Sequence, residues 1–121
     1  MSKQNLYLGK SGEEIAAGLL KQNGYKILLR NYKSKLGEID IIAKDKEAIV
    51  FVEVKTRKKY DDYGEPQLAV NNYKQKRLSL AAFVFIKKNS LNCDYRFDII
   101  AICNDKIEHI KNAFTPVGYT I

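Results

Sequence analysis

The chain has no tryptophan, one histidine and only two cysteines, Cys93 and Cys103, in 121 residues. Without a C-x-x-C pair and with a lone histidine, the ligand set of a zinc site is missing, and two isolated thiols are expected to stay reduced. Long apolar runs are absent too. The longest, Ile39 to Ala43 and Ala48 to Val54, are interrupted by charge and fall well short of the roughly 20 residues that a membrane-spanning helix needs. Met-Ser-Lys-Gln-Asn at the N-terminus has no apolar signal core, so a cytoplasmic protein with no membrane partner is expected. No internal repeat or low-complexity tract is present. At 45% hydrophobic content, residues 1–121 should form one domain around a real core.

Positive charge is abundant, and it is unevenly spread. The formal net charge is +7, with seven Lys/Arg against two Glu in residues 1–35 and eight against four acids in residues 66–121. Residues 36–65 reverse the balance, with six basic residues against eight acids. An acidic island in a basic protein suits a cation held at the centre and a polyanion held around it. Solubility alone would also account for a basic surface.

Periodicity divides the chain into elements. Ser11-Gly12-Glu13-Glu14 opens a helix whose stripe is Ile15, Ala16, Leu19 and Leu20, and Asn23-Gly24 closes it. Tyr25 to Tyr32 reads as a strand, Gly37 to Ala43 and Ala48 to Lys55 as a hairpin, and Thr56 to Pro66 as a polar loop. A long helix begins between Pro66 and Asn72 and ends near Lys88, with Leu78, Ala81, Ala82 and Phe85 as its buried stripe. Tyr95 to Cys103 reads as an interior strand and Lys106 to Ile110 as a short edge strand before an irregular tail. The order αβββαβ predicts an α/β fold: a mixed central sheet flanked by helices, with a parallel crossover through the long helix.

Within the hairpin, Asp40, Glu53 and Lys55 form the pattern D-x12-E-x-K. Alternation groups Ile39, Ile41 and Ala43 on one face of the first strand and Glu38, Asp40 and Ile42 on the other. In the second strand Val50, Val52 and Val54 oppose Phe51, Glu53 and Lys55. Matching apolar face to apolar face puts Asp40, Glu53 and Lys55 together in every allowed register. A tight turn at Lys46-Glu47 sets Asp40 directly opposite Glu53, with Cβ atoms about 5 Å apart, whereas a turn at Asp45-Lys46 makes the pair diagonal.

Two adjacent carboxylates can hold Mg²⁺, with Mn²⁺ as a substitute, and the carbonyl of Val54 could add a third oxygen. Lys55 returns to the same face, where it could hold an attacking water and neutralise charge building on a phosphodiester. The competing reading is a surface ion-pair ladder worth under about 1 kcal/mol. Arg57 and Lys58, with Lys59, extend toward where a nucleic-acid backbone would lie. Lys74, Lys76 and Arg77 in the early turns of the long helix are further phosphate contacts, and Gln67 could orient a water or a phosphate. Tyr60 and Tyr63 could stack on an unpaired base or pack their loop down. Glu38 reads as a partner of Lys55, and His109 and Asp98 read as structural hydrogen-bonding or ion-pair residues.

Gly37-Glu38-Ile39-Asp40-Ile41-Ile42-Ala43, Val50-Phe51-Val52-Glu53-Val54-Lys55-Thr56-Arg57, Lys74-Gln75-Lys76-Arg77-Leu78 and Arg96-Phe97-Asp98 together resemble the bacterial YraN family of proposed endonucleases. The resemblance runs from Gly9 to Phe114. It implies a restriction-endonuclease-like core, with a motif order similar to that of archaeal Holliday junction resolvases. It also implies metal and catalytic roles for Asp40, Glu53 and Lys55, and adds Glu14 as the acid of the N-terminal helix. Glu14 also stands three residues after Ser11, the spacing of a capping box. The expected function is therefore a Mg²⁺-dependent endonuclease, a hydrolase of DNA phosphodiesters that could include branched or other non-duplex DNA. The alternative is a nucleic-acid-binding module of nuclease fold that acts through a partner with little hydrolysis of its own. Symmetric cleavage of a junction would need two active sites, which a homodimer would supply.

Overall fold

The computed structural model describes residues 11–57, 70–103 and 106–116. Helix α1 (Gly12–Gln22) starts at Ser11, whose hydroxyl accepts the Glu14 backbone N–H at 3.1 Å. Glu13 and Glu14 in its first turn and Lys21 in its last complement the helix dipole. After the Asn23 cap, Gly24 turns the chain at φ +90°, which a side chain would oppose.

Strands β1 (Lys26–Lys33), β2 (Glu38–Asp45) and β3 (Ala48–Arg57) follow as antiparallel neighbours. Helix α2 (Asn72–Lys88) then leads to β4 (Tyr95–Cys103), which pairs parallel to β3 over all nine of its residues, from Ile49↔Tyr95 to Arg57↔Cys103. Strand β5 (Lys106–Phe114) completes a mixed five-stranded sheet in the order β1-β2-β3-β4-β5. This is the expected α/β core, an αβββαβ arrangement with one added strand. No helix among the described residues is long and apolar enough to cross a membrane, and both cysteines are free.

Each face of the sheet is covered by one helix. Ile41, Ala43, Val50, Val52, Ile100 and Ile102 pack against Ala16, Ala17 and Leu20 of α1. Ile42, Phe51, Phe97 and Ile99 pack against Leu78, Ala81, Ala82 and Phe85 of α2. Ile39 departs from the expected alternation, joining the α2-side cluster instead of Ile41 and Ala43. It lies beyond Ile41↔Val52, the last β2–β3 pair, where β2 is held by β1 alone through Tyr32↔Ile39 and Lys33↔Glu38.

Strand β5 is longer than the short edge strand read from the sequence. A register shift interrupts the β4–β5 ladder between Phe97 and Ile99, and Asn112 adopts φ +53°. Its N–H donates to Asp98 Oδ1 at 2.9 Å, so a side-chain oxygen satisfies the amide at the interruption and the strand resumes, pairing Phe114 with Phe97. Asp98 is fully buried. Burial alone would raise its pKa, but His109, Arg96 and the Asn112 amide outweigh that and hold the carboxyl below its ordinary value. His109 Nε2 lies 2.7 Å from Asp98 Oδ2, and Arg96 bonds Asp98, Asp45 and the Tyr25 hydroxyl. Asp98 and His109 thus have the structural roles expected of them.

Removing one member of such a network strands the others away from water. Asp98→Ala is expected to lower the free energy of unfolding by about 3 to 5 kcal/mol in urea titrations. A loss under about 1 kcal/mol would contradict this account of the network.

Candidate active site

The site begins at the hairpin turn. Strands β2 and β3 pair from Ile41↔Val52 to Asp45↔Ala48 around a two-residue turn at Lys46-Glu47, in which Lys46 takes φ +57°. This is the Lys46-Glu47 turn of the two expected; the ladder ends at Ile41↔Val52, and Asp40 and Glu53 are the next residue of each strand. Asp40 is not left to the solvent, since its Oδ2 accepts the Val54 backbone N–H at 2.8 Å. Its carboxyl is thereby tied to the end of β3 that carries Glu53 and Lys55.

The two carboxyls disturb one another. Burial, followed by a hydrogen bond that protonated Glu53 donates to Asp40 and by the charge of Asp40, pushes the Glu53 pKa up to about 8, and the charges of Lys55 and Lys74 offset this only in part. Lys55 is displaced downward, first by burial and then by a hydrogen bond and like charge from Lys74, with Glu53 and Asp40 opposing. Asp40, Glu53, Lys55 and Lys74 therefore form one interacting set spanning the sheet and α2.

Between them lies an open cleft of about 440 Å³. Glu38, Asp40, Glu53 and Val54 form the sheet wall, and Tyr73, Lys74, Arg77 and Leu78 the helix wall. Helix α2 starts at Asn71, whose side chain accepts the Lys74 N–H at 2.9 Å, and its first turn holds no acidic residue. The positive end of the helix dipole is thus reinforced by Lys74 rather than balanced, an arrangement that suits an anion better than it suits helix stability. Gly37 permits the close approach of the two walls: a Cβ there would run into the Arg77 carbonyl oxygen.

Asp40, Glu53, Lys55, Val54, Lys74 and Arg77 are thus brought together. Lys76 is exposed on α2 but does not wall the cleft, and neither does Arg57, half-buried at the end of β3. Glu14 is exposed on α1, the helix of the opposite face, where Ser11 caps its N–H, and it is not brought into the group. Lys58 and Gln67, with Lys59, Tyr60 and Tyr63, lie outside the described residues. Three cleft residues lie outside the site read from sequence: Glu38, which reads there as a partner of Lys55, Leu78, which reads as part of the buried stripe, and Tyr73. Tyr73 stands four residues before Arg77, so taking Arg77 as site-facing would have placed Tyr73 on the same face.

Among the described residues no three His, Cys, Asp or Glu side chains gather as a metal site. Two carboxylates nevertheless fit Mg²⁺, which commonly keeps several waters and takes one or two protein carboxylates together with substrate phosphate oxygens. The mutual repulsion of Asp40 and Glu53 is what a divalent cation between them would relieve.

A sequence profile described as "Uncharacterised protein family UPF0102" matches residues 12–102, a span that contains every cleft residue named above. The UPF0102 protein of Thermodesulfovibrio yellowstonii is 50% identical over 107 residues, covering 88% of this chain and 95% of its own length. Those of Geobacter metallireducens and Trichlorobacter lovleyi are each 48% identical, over 119 and 121 residues. The first match covers 94% of this chain and 97% of the relative, the second 94% of both.

The raised pKa of Glu53 has a stability consequence. Below its ordinary value of 4.5 the carboxyl is protonated whether the chain is folded or not, and there is no penalty. Between 4.5 and about 8 the unfolded chain ionises while the folded one resists, so metal-free protein should lose stability as pH rises through that window. Thermal unfolding in EDTA from pH 5 to 8 should show this decline, and Glu53→Gln should flatten it. An equal slope in the variant would show that Glu53 is not its source.

Proposed function

The chain belongs to the UPF0102 family, the YraN family that its motifs resemble, and we propose that this domain is a divalent-metal-dependent endonuclease of DNA. The observation that carries the reading is the side-by-side placement of Asp40 and Glu53, with Lys55 beside them and a basic helix end across an open cleft. In-line hydrolysis of a phosphodiester builds charge on the non-bridging oxygens and on the departing oxygen. Asp40 and Glu53 would hold Mg²⁺, which when bound supplies Lewis-acid charge and makes a neighbouring water more acidic. Asp40, anchored by the Val54 N–H, has little freedom to swing away, so the ligand pair is set in place before substrate arrives. The Lys55 amine positions the attacking water and opposes developing charge. Lys74 and Arg77 take the flanking phosphates, contacts that give affinity without reading sequence.

The test is a panel of single-stranded, duplex, flap and four-way-junction DNAs, plus RNA, incubated with and without Mn²⁺. Metal-dependent cuts are expected from the wild type, reduced about 100-fold or more by Asp40→Ala, Glu53→Gln or Lys55→Ala. Binding without cuts across the whole panel would overturn the enzyme reading in favour of a binding module.

A further inference from the structure

Tyr73 has the most exposed of the large apolar side chains described, 68% exposed against 43% for Leu29 and for Leu36. It belongs to neither core cluster, so packing does not account for it. Nor is the ring loosely placed. It sits in the first turn of α2, and the Arg77 guanidinium carbon lies 5.8 Å from its centroid, a cation–π distance. Arg77 braces one side of the ring, and the exposure shows that much of the remainder faces water. Tyr73 also walls the same cleft as Asp40 and Glu53, beside Lys74.

A water-exposed aromatic ring in the wall of a cleft that also holds cations and a carboxylate pair has a specific use in a site for phosphodiesters. Base–aromatic stacking needs a free π-face, and in a duplex the faces of the bases are covered by their neighbours. We propose that Tyr73, braced by Arg77, is a stacking platform for an unpaired nucleobase, so that this cleft takes strands with an unpaired nucleotide beside the phosphodiester held at Asp40 and Glu53. This rests on the nuclease reading for its location and adds the substrate class. Lys74 supplies charge to either kind of strand, whereas Tyr73 supplies the preference between them.

The experiment measures binding by the full chain in EDTA, where cleavage plays no part. The probes are a fluorescent thymidine oligonucleotide, an abasic strand of equal length and charge, and a duplex. The wild type should prefer the thymidine strand over the abasic one by about 5- to 150-fold, the range expected for one stacked base. Tyr73→Ala should erase that preference and weaken thymidine-strand binding more than duplex binding, while Tyr73→Phe, which keeps the ring, should retain it. A wild type that binds thymidine and abasic strands alike, or a Tyr73→Ala variant that keeps the preference, overturns the proposal. Failure of the nuclease reading shows up separately, as absence of metal-dependent cuts with the base preference intact.

Discussion

The register of the β2–β3 hairpin is the constraint on which the rest of the molecule depends. A two-residue turn at Lys46-Glu47 starts the ladder at Asp45↔Ala48. Both faces of the hairpin are buried, with Ile41, Ala43, Val50 and Val52 at 0% exposure under α1, and Ile42 and Phe51 at 0% and 1% under α2. A slip of one residue would reverse the faces of the slipped strand and drive a carboxylate into the α1-side core. Core packing thus fixes the register as far as Ile41↔Val52, and Asp40 and Glu53 follow as the next residue of each strand, although as isolated groups they repel. The fold holds an unfavourable pair in place by the burial of apolar residues around it.

The two sides of the sheet treat acids in opposite ways. On the α1 side, Asp98 is fully buried yet held below its ordinary pKa, because His109, Arg96 and the Asn112 amide all favour its charged form. On the α2 side, Glu53 is only half-buried yet is pushed up to about 8, because burial and Asp40 outweigh two lysines. Depth does not separate them; partners do. A satisfied carboxylate stiffens the fold, whereas a frustrated one that opens onto a cleft is poised for a ligand. Gly37 belongs to the same design, since only a residue without a side chain lets the Arg77 turn of α2 close over the acids.

Much of this was legible in the sequence because period-two alternation is a strong signal when both faces are buried. It grouped Asp40, Glu53 and Lys55, while the apolar run from Tyr95 to Cys103 marked β4 and the element order put helices on both faces of the sheet. It failed where the ladder breaks. Ile39 lies past the last β2–β3 pair and packs with α2, and β5 continues beyond an interruption that a distant carboxylate satisfies, a link invisible in Lys111-Asn112-Ala113. Tyr73 is not legible in the sequence for a different reason. Its meaning comes from exposure and from the cleft it faces, and neither exists before the helix is docked. Glu14 stays ambiguous in sequence because one residue can serve as helix cap or ligand, and only the position of α1 on the opposite face separates it from the cleft.

The central claim, that Asp40 and Glu53 form a divalent-cation site, is tested most directly by titrating ¹⁵N-labelled protein with sub-stoichiometric Mn²⁺ and following paramagnetic broadening of its amide signals. Broadening centred on the amides of Asp40, Glu53, Val54 and Lys55, and lost in Asp40→Asn, is the outcome this account requires. Broadening centred on Glu13 and Glu14 of α1, or spread over the surface without a centre, would contradict it.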